Sequence, residues 1–499
     1  MKVFNLNVGI LGHVDSGKTT LAKALSSIPS TAAFDKNPQS QQRGITLDLG
    51  FSALVLDLPD HFRENCGDCD KLQFTFVDCP GHSSLIRTII GGAQIIDMMI
   101  LVVDIGKGIQ TQTAECLVIC ELTCRKIIIV LNKVDTVEID ERPKVIQKRI
   151  KNIRKILGGT DFTGCDIVAL SAASGEKLET LVTVLQKYAF VPERQYDSPF
   201  LFAVDHCFAI KGQGTVCTGT VLQGQVKLNE DVEIPKLKLV KKVKSMQMFK
   251  QNLNVARQGD RIGICITQFD PKLLERGTIC KPGYVLDIHA AILRLHVIKY
   301  YKAVIKSSSS AFNVSEQYKY LCETNPDGQE QIQFLFALLE FEKPVQATQN
   351  ALIIGSKLDT DIHANQCRIA FYGHLDFIIS DKNYATSLLP QLKLFKAKEK
   401  VGTIQRVVSE TELIAAGLFK KVGNNRQDFI GFKAQLCTGE WGIIADTFGA
   451  TSKVRLRFSS PLTRQTLDLF VMKDKQMKVL VRYKKYIFKQ KNGVNKIVQ

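Results

Sequence analysis

Short apolar runs alternate with amphipathic stretches over the first 190 residues. Val8–Leu11, Met98–Val103, Ile127–Leu131 and Asp166–Leu170 read as buried strands. Phe51–Leu58 and Leu72–Val77 join them through β-branched and aromatic content and turn-rich flanks. Leu21–Leu25, Thr111–Leu122, Arg142–Leu157 and Lys177–Tyr188 read as covering helices, so the pattern predicts an α/β domain. Pro192 and Pro199 bracket a linker, and from Phe200 the texture changes. Val204–Ile210, Gly214–Leu222, Asp231–Ile234 and Arg261–Thr267 alternate with glycine punctuation, which suggests a small β-barrel. A second set of strands runs from Val285 to Phe377, with the polar stretch Ser307–Gln331 read as a surface loop. After Leu389-Pro390, Phe429–Leu436, Trp441–Phe448, Val454–Phe458, Met477–Arg482 and Tyr486–Phe488 suggest one more β module. The expectation is a multidomain chain: an α/β domain over 1–196, β-barrels over 197–285 and 286–395, and a mostly-β basic domain over 400–499.

Between the first strand and the first helix lies Gly12-His13-Val14-Asp15-Ser16-Gly17-Lys18-Thr19-Thr20, a Gly-x4-Gly-Lys-Thr phosphate loop. Its backbone amides, from Asp15 to Thr20, can close around phosphate oxygens at a helix N-terminus. Lys18 supplies a point charge, and the Thr19 hydroxyl can ligate Mg²⁺. In the polar segment after the first helix, Thr46 can reach the metal only when a γ-phosphate holds it there, which makes it a nucleotide sensor. Asp78, closing its strand, can hold Mg²⁺ through water, Gly81 leaves an amide for the γ-phosphate, and His82 would stand beside the bond to be cleaved.

Asn132-Lys133-Val134-Asp135 selects the base. The Asp135 carboxylate can accept from guanine N1–H and the 2-amino group, which adenine lacks. Ser171, Ala172 and Ala173 could place an amide on guanine O6. GTP and Mg²⁺ are therefore the expected ligands. Together these motifs resemble the elongation factor Tu superfamily of translational GTPases rather than signalling GTPases, which usually carry Gln where His82 stands. By that resemblance, Val14 and Ile45 form an apolar gate that keeps His82 from its water until the ribosome moves it.

Composition narrows the partners. The formal net charge is +17, and from Lys393 to the end 22 Lys and Arg face 8 Asp and Glu, so +14 of it lies in the last 107 residues. A cationic terminal module suggests a polyanion such as RNA, with Tyr483, Tyr486 and Phe488 among the lysines as candidates to stack on bases. No apolar run reaches membrane-span length, and neither a secretory signal nor an anchor is seen, so a cytoplasmic location is expected. The 14 cysteines are scattered; Cys116, Cys120 and Cys124 are spaced to share one helix face, as buried reduced thiols would. Cys66 and Cys69 supply half of a tetrahedral zinc site with no partner pair nearby, against which stands an ordinary exposed loop.

Longer strings sharpen the resemblance. Ala32–Lys36, Gly44–Phe51, Val204–Phe208, Lys241–Phe249, Gln268–Gly277, Leu418–Lys421 and Thr438–Ile444 resemble the eukaryotic selenocysteine-specific elongation factors, the SelB-type branch of the superfamily. The resemblance implies a carrier that hydrolyses GTP and delivers selenocysteyl-tRNA to the ribosomal A site at recoded UGA codons. It also implies a monomer that meets a selenocysteine-insertion RNA element and its binding protein and needs no membrane. It places the selenocysteyl group between the first two domains, at Asp205, His206 and Arg261. A selenol ionises more readily than a thiol of reference pKa about 8.5, so Arg261 can pair with a selenolate that competing aminoacyl groups do not present, with Asp205 orienting His206 or Arg261. The chain is shorter than the vertebrate-type pattern and lacks an extended basic cluster near the tail, so no nuclear signal is read. A gamma-subunit-like initiation factor two carrier and the GTPase subunit of a sulfate-activating enzyme are the alternatives, with a P-loop kinase behind them.

Overall fold

The apolar run Val8–Leu11 is the end of a ten-residue strand, β1 (Val3–Gly12), buried from Asn5 onward. The computed structural model describes residues 3–29, 49–63, 66, 69–80, 95–124, 126–210, 212, 214–249, 251–267, 269–274, 276–297, 304–307, 317–321, 334–356, 369–419, 426–448, 453–471, 477–488 and 497–499. β1 is central in a seven-stranded sheet with β2 (Gly50–Asp57), β3 (Lys71–Asp78), β4 (Met98–Asp104), β5 (Ile127–Asn132) and β6 (Ile167–Ala169); the pair Ile28–Pro29 extends the edge beside β2. β3, β1, β4, β5 and β6 run parallel, and β2 is antiparallel to β3. Strands sandwiched on both faces need continuous apolar sequence, which is why these runs stand out.

The helices are α1 (Lys18–Leu25), α2 (Thr111–Thr123), α3 (Arg142–Leu157) and α4 (Leu178–Tyr188). Leu21 and Leu25 of α1 and Leu181 and Leu185 of α4 pack on Leu6, Val8 and Ile10 of β1. Cys116 and Cys120 are buried along α2, and Cys124, its C-cap, is buried too.

The first barrel closes on itself. Its strands are β7 (Leu201–Ile210), β8 (Gly214–Gln223), β9 (Asp231–Ile234), β10 (Leu239–Met248), β11 (Arg261–Ile266) and β12 (Gly277–Cys280). The order β9-β12-β7-β8-β11-β10 returns to β9 through an antiparallel pairing, leaving no open edge in the ring. Phe202, Val221, Ile234, Val243, Ile262 and Ile264 fill it. The stretch bracketed by Pro192 and Pro199 is pinned rather than loose: Arg194 makes a buried ion pair with Asp97 at 2.8 Å. Sheet and barrel belong to one unit, Met1–Leu286 with Ile354–Ile369; the second unit is Asp287–Ile353 with Ala370–Gln499.

In the second unit, β13 (Leu286–Val297), β14 (Val304–Ser307), β15 (Gln317–Leu321), β16 (Phe334–Ala347) and β17 (Ile369–Ile379) lie in the order β17-β13-β16-β14-β15, antiparallel where β17 meets β13 and where β14 meets β16 and β15. The expected loop Ser307–Gln331 therefore contains a strand: Gln317-Tyr318-Lys319-Tyr320-Leu321 carries period-two alternation that its polar surroundings hide. The rest of that stretch lies outside the described residues.

The tail is a second closed ring: β18 (Lys393–Ser409), β19 (Glu412–Ala416), β20 (Lys433–Leu436), β21 (Trp441–Phe448), β22 (Lys453–Phe458) and β23 (Lys478–Tyr486), ordered β18-β19-β22-β21-β20-β23 and closed by β23 on β18. The break expected between 395 and 400 falls inside β18, which pairs with β15 at one end and with β19 at the other. The expected run Phe429–Leu436 is split, with a 3₁₀ turn at Arg426–Phe429 and β20 starting only at Lys433, because Gly431 turns the backbone at φ 85°. No described helix is long and apolar enough to cross a membrane.

Candidate functional site

Two glycines set the phosphate loop. β1 ends at Gly12, where a Cβ would lie 2.3 Å from the carbonyl oxygen of Val102; at Gly17, φ 89°, it would lie 2.2 Å from Asn132 Nδ2. Asp15 also has positive φ, 60°. Lys18 Nζ donates to the His13 carbonyl at 2.8 Å across the loop. Burial lowers the Lys18 pKa, with Asp78 the first opposing charge, so a phosphate entering here would meet an ammonium short of counter-charge. Val14 is half-buried, Ser16 buried and Thr20 exposed.

Asn132, at the end of β5, ties the loop to the base-recognition segment. Its Nδ2 donates to the Ser16 carbonyl at 2.9 Å, and its Oδ1 accepts from the Ala172 amide at 2.9 Å. Ala172 N–H is thus engaged within the protein, leaving exposed Ala173 as the better placed amide for guanine O6. Ser171 is buried and accepts from the Ser174 amide. Lys133 holds a left-handed backbone, φ 67°, and its Nζ sits 3.0 Å from Asp104 Oδ2. Burial works against the Asp104 carboxylate, but Lys133 and the amides of Lys107 and Gly106 hold its pKa below the ordinary value. Asp135 is exposed at the rim.

Thr19 Oγ1 donates to Asp78 Oδ2 at 2.6 Å. A hydroxyl and a carboxylate that close, both hard oxygen donors beside a phosphate loop, fit an octahedral Mg²⁺. Gly81, His82, Ile45 and Thr46 lie outside the described residues.

The face of the sheet turned toward the barrel is polar yet buried. Asn5, Asn7, Gln73 and Thr75 bond one another, and both asparagine Nδ2 atoms donate to the Gly259 carbonyl of the barrel at 2.8 and 2.9 Å. The Asn7 amide and Arg194 both reach Asp97 Oδ2 at 2.8 Å. Two residues past Gly259 stands Arg261. It is 7% exposed, is paired with Asp205, and lies over the Phe51 ring of β2, 3.4 Å from the centroid. Asp205 Oδ1 also accepts from Thr218 Oγ1 at 3.0 Å and from the His206 backbone amide at 2.9 Å. Asp205 therefore orients Arg261, and touches His206 through its main chain. The structure brings Asp205 and Arg261 into contact, with His206 joined to them through its backbone amide. It adds Phe51, whose neighbour Gly50 pairs with Asp78 and which sequence reading left in the strand core.

The tail's expected stacking residues turn inward. Tyr483 packs edge-on to Phe429 at 5.0 Å, Tyr486 is 5% exposed against Phe395, and Phe488 packs on a small core with Phe336 and Leu394. Alternation on β23 puts Tyr483 on the ring-core face with Val479 and Val481, whereas Tyr486, of opposite parity, and Phe488, beyond the strand's end, are covered outside that core. Trp441, overlooked because it opens a strand, is 52% exposed and borders a surface cavity of about 510 Å³ with Lys433, Ile443 and Arg457. Cys66 and Cys69 are half-buried and pack on the α/β core.

Residues 4–190 match the model of the elongation factor Tu GTP binding domain, and 214–280 that of elongation factor Tu domain 2. Residues 298–373 match the third domain of the eukaryotic selenocysteine-specific elongation factor, and 390–492 the eEFSec C-terminal RIFT domain. The mouse selenocysteine-specific elongation factor is 45% identical over 524 aligned positions, covering 93% of this chain and 89% of the mouse protein. The chain belongs to the selenocysteine-specific elongation factor family. As a member it is a GTP-binding translation elongation factor and a GTPase, which removes the metabolic, initiation and kinase alternatives. A selenocysteine-specific elongation factor of Methanocaldococcus jannaschii is 40% identical over 282 positions, 56% of each chain. The fold is shared with the elongation factor SelB of Methanococcus maripaludis in complex with the GTP analogue GppNHp, TM-score 0.72 at 24% identity, covering 97% of this chain and 99% of that one.

Proposed function

We propose that this factor carries selenocysteyl-tRNA to the ribosomal A site at recoded UGA codons and releases it on GTP hydrolysis. The phosphates are held by the amides from Asp15 to Thr20 and of Gly81 with Lys18, and the guanine by Lys133, Asp135 and the Ala173 amide, with Asn132 bracing Ser16 against Ala172 behind buried Ser171. Mg²⁺, held by Thr19, Asp78 and Thr46, neutralises charge on the phosphate oxygens when bound. His82 orients the attacking water once the Val14–Ile45 gate opens. Asp205, His206 and Arg261 receive the selenocysteyl group. The cytoplasm is the compartment this reading calls for.

The supporting observation is the placement of Arg261: one cation contacts the barrel's Asp205 and the α/β domain's Phe51. A selenolate approaching that junction would share the guanidinium with Asp205, and a neutral hydroxyl would have no claim on it. The test compares protection of the selenocysteyl ester from hydrolysis with protection of a seryl ester on the identical tRNA, with a non-hydrolysable GTP analogue. Strong protection of the selenocysteyl ester alone is expected; equal protection of both removes the pocket.

Contact with RNA through the tail ring is part of the same reading. Its net +14 and the Trp441 cavity, flanked by Lys433 and Arg457, suit a stacked base beside phosphates.

A further inference from the structure

Behind the expected cargo pocket sit two thiols that the nucleotide and cargo chemistry do not use. Cys207 on β7 is directly opposite Cys217 on β8, and their Sγ atoms are 3.1 Å apart. Cys207 is half-buried and reachable, while Cys217 is fully buried in the barrel core. An accessible thiol backed by a buried one is the arrangement in which the first reacts and the second resolves. The Cys217 thiol, bonding to Cys207, favours the Cys207 thiolate and lowers its pKa against the cost of burial, and the Cys217 pKa is raised in return.

The pair is also wired to the pocket. Cys207 follows His206, and Thr218, which follows Cys217, donates to the same Asp205 carboxylate that holds Arg261. A sulfur–sulfur bond is about 2.0 Å long, so linking the two would draw β7 and β8 together where the Asp205–Thr218 bond is made.

We propose that Cys207 and Cys217 form a redox-active dithiol, oxidised by hydrogen peroxide to an intramolecular disulfide that disables the neighbouring aminoacyl pocket. The Cys207 thiolate attacks one peroxide oxygen; the O–O bond breaks, hydroxide leaves and takes a proton, and Cys207 becomes a sulfenic acid. Cys217 sulfur then attacks Cys207 sulfur, the S–O bond breaks, and the Cys217 proton leaves with the oxygen as water. Two thiols lose two electrons, and one peroxide becomes two waters. A dithiol reductant reverses the step. The selenol cargo is vulnerable to the same oxidant, so a pocket that shuts with it declines to load what it would damage.

The consequence for cargo rests on the pocket reading above; the oxidation does not. The full chain, reduced and then treated with equimolar hydrogen peroxide, is alkylated, digested and mapped by mass spectrometry. A peptide cross-linked through Cys207 and Cys217 is expected, absent from Cys207→Ser and Cys217→Ala. If Cys207 remains alkylatable, or pairs elsewhere, the proposal is overturned. In parallel, selenocysteyl-tRNA affinity is measured by ester protection before oxidation, after it, and after re-reduction. Oxidation should weaken it about tenfold, a misplacement effect of ordinary size, reversibly and only in the wild type, with GTP affinity unchanged as the check on folding. An unchanged affinity in the cross-linked protein overturns the link to the pocket. Failure of the reduced protein to protect any ester would instead fault the pocket reading, with the cross-link standing on its own.

Discussion

Arg261 lies over the face of Phe51, 3.4 Å from the ring centroid, so the barrel's buried cation is seated on a strand of the nucleotide domain. Phe51 pairs with Val77 and its neighbour Gly50 with Asp78, whose carboxylate accepts from Thr19 of the phosphate loop. Cargo recognition and nucleotide state therefore meet over a few residues. Phe51→Leu keeps apolar volume and removes the π face. It should cost ~1–2 kcal/mol of the preference for selenocysteyl- over seryl-tRNA, the worth of a desolvated cation–π contact. GTP affinity should be nearly unchanged. Ester protection on matched tRNAs measures the first and nucleotide titration the second.

Arg261→Ala is the harsher version. It strands the Asp205 carboxylate as well as removing the cation, so discrimination should vanish and the barrel lose some stability. Arg261→Ala with Asp205→Ala restores the stability without the discrimination, a split that thermal melting and ester protection resolve.

Asp260 gives the joint a pH signature. Burial pushes its carboxyl up to about 6, against the Arg257 amide bond and the Arg194 and Arg257 charges. The folded protein thus binds this proton more tightly than the unfolded chain, whose aspartates titrate near 4. Its contribution to stability is greatest below about pH 4 and is lost as the pH rises through about 6. Asp260→Asn carries no such cost, so above pH 6 the variant should be more stable than the wild type by ~1–3 kcal/mol, and the advantage should shrink toward pH 4. Denaturant melts across that range check it.

His82→Ala should leave GTP affinity intact and abolish ribosome-stimulated hydrolysis, a loss of roughly 10³-fold or more if positioning the water is its work. Single-turnover hydrolysis with and without ribosomes measures it; normal stimulated turnover assigns the water to another group.

Trp441 is the chain's one tryptophan, so intrinsic indole fluorescence reports on a single surface of the tail ring. Single-stranded RNA should quench it saturably, with affinity falling as salt rises. Trp441→Ala should weaken binding by ~1–3 kcal/mol in an anisotropy titration. RNA that binds with no change in fluorescence would place the contact elsewhere.

The nucleotide motifs were legible because backbone geometry there admits few residues: a side chain at Gly12 or Gly17 meets Val102 or Asn132, and the spacing shows it. The strands of the α/β sheet were legible because burial on both faces writes a continuous apolar run. What stayed hidden depends on partners distant in sequence. Asn5 and Asn7 read as ordinary polar interruptions until Gly259, some 250 residues away, supplies their acceptor. Tyr483 and Trp441 are both aromatics near lysines, and only ring closure decides that one faces the core and the other the solvent. Gln317–Leu321 looked like loop because it is held between Val304, Ile305 and Lys306 of β14 on one side and, far along the chain, Lys393, Leu394 and Phe395 of β18 on the other.

β18 has a mechanical corollary. At Phe395 the same residue is laced to Lys319 on one side and Tyr486 on the other, and the strand runs on unbroken to Ser409. The terminal ring is thus spliced onto the preceding sheet like a mast stepped through a deck. A tug on it reaches that sheet without slack, and a scissor cut near 395 would fray both halves instead of freeing two intact modules.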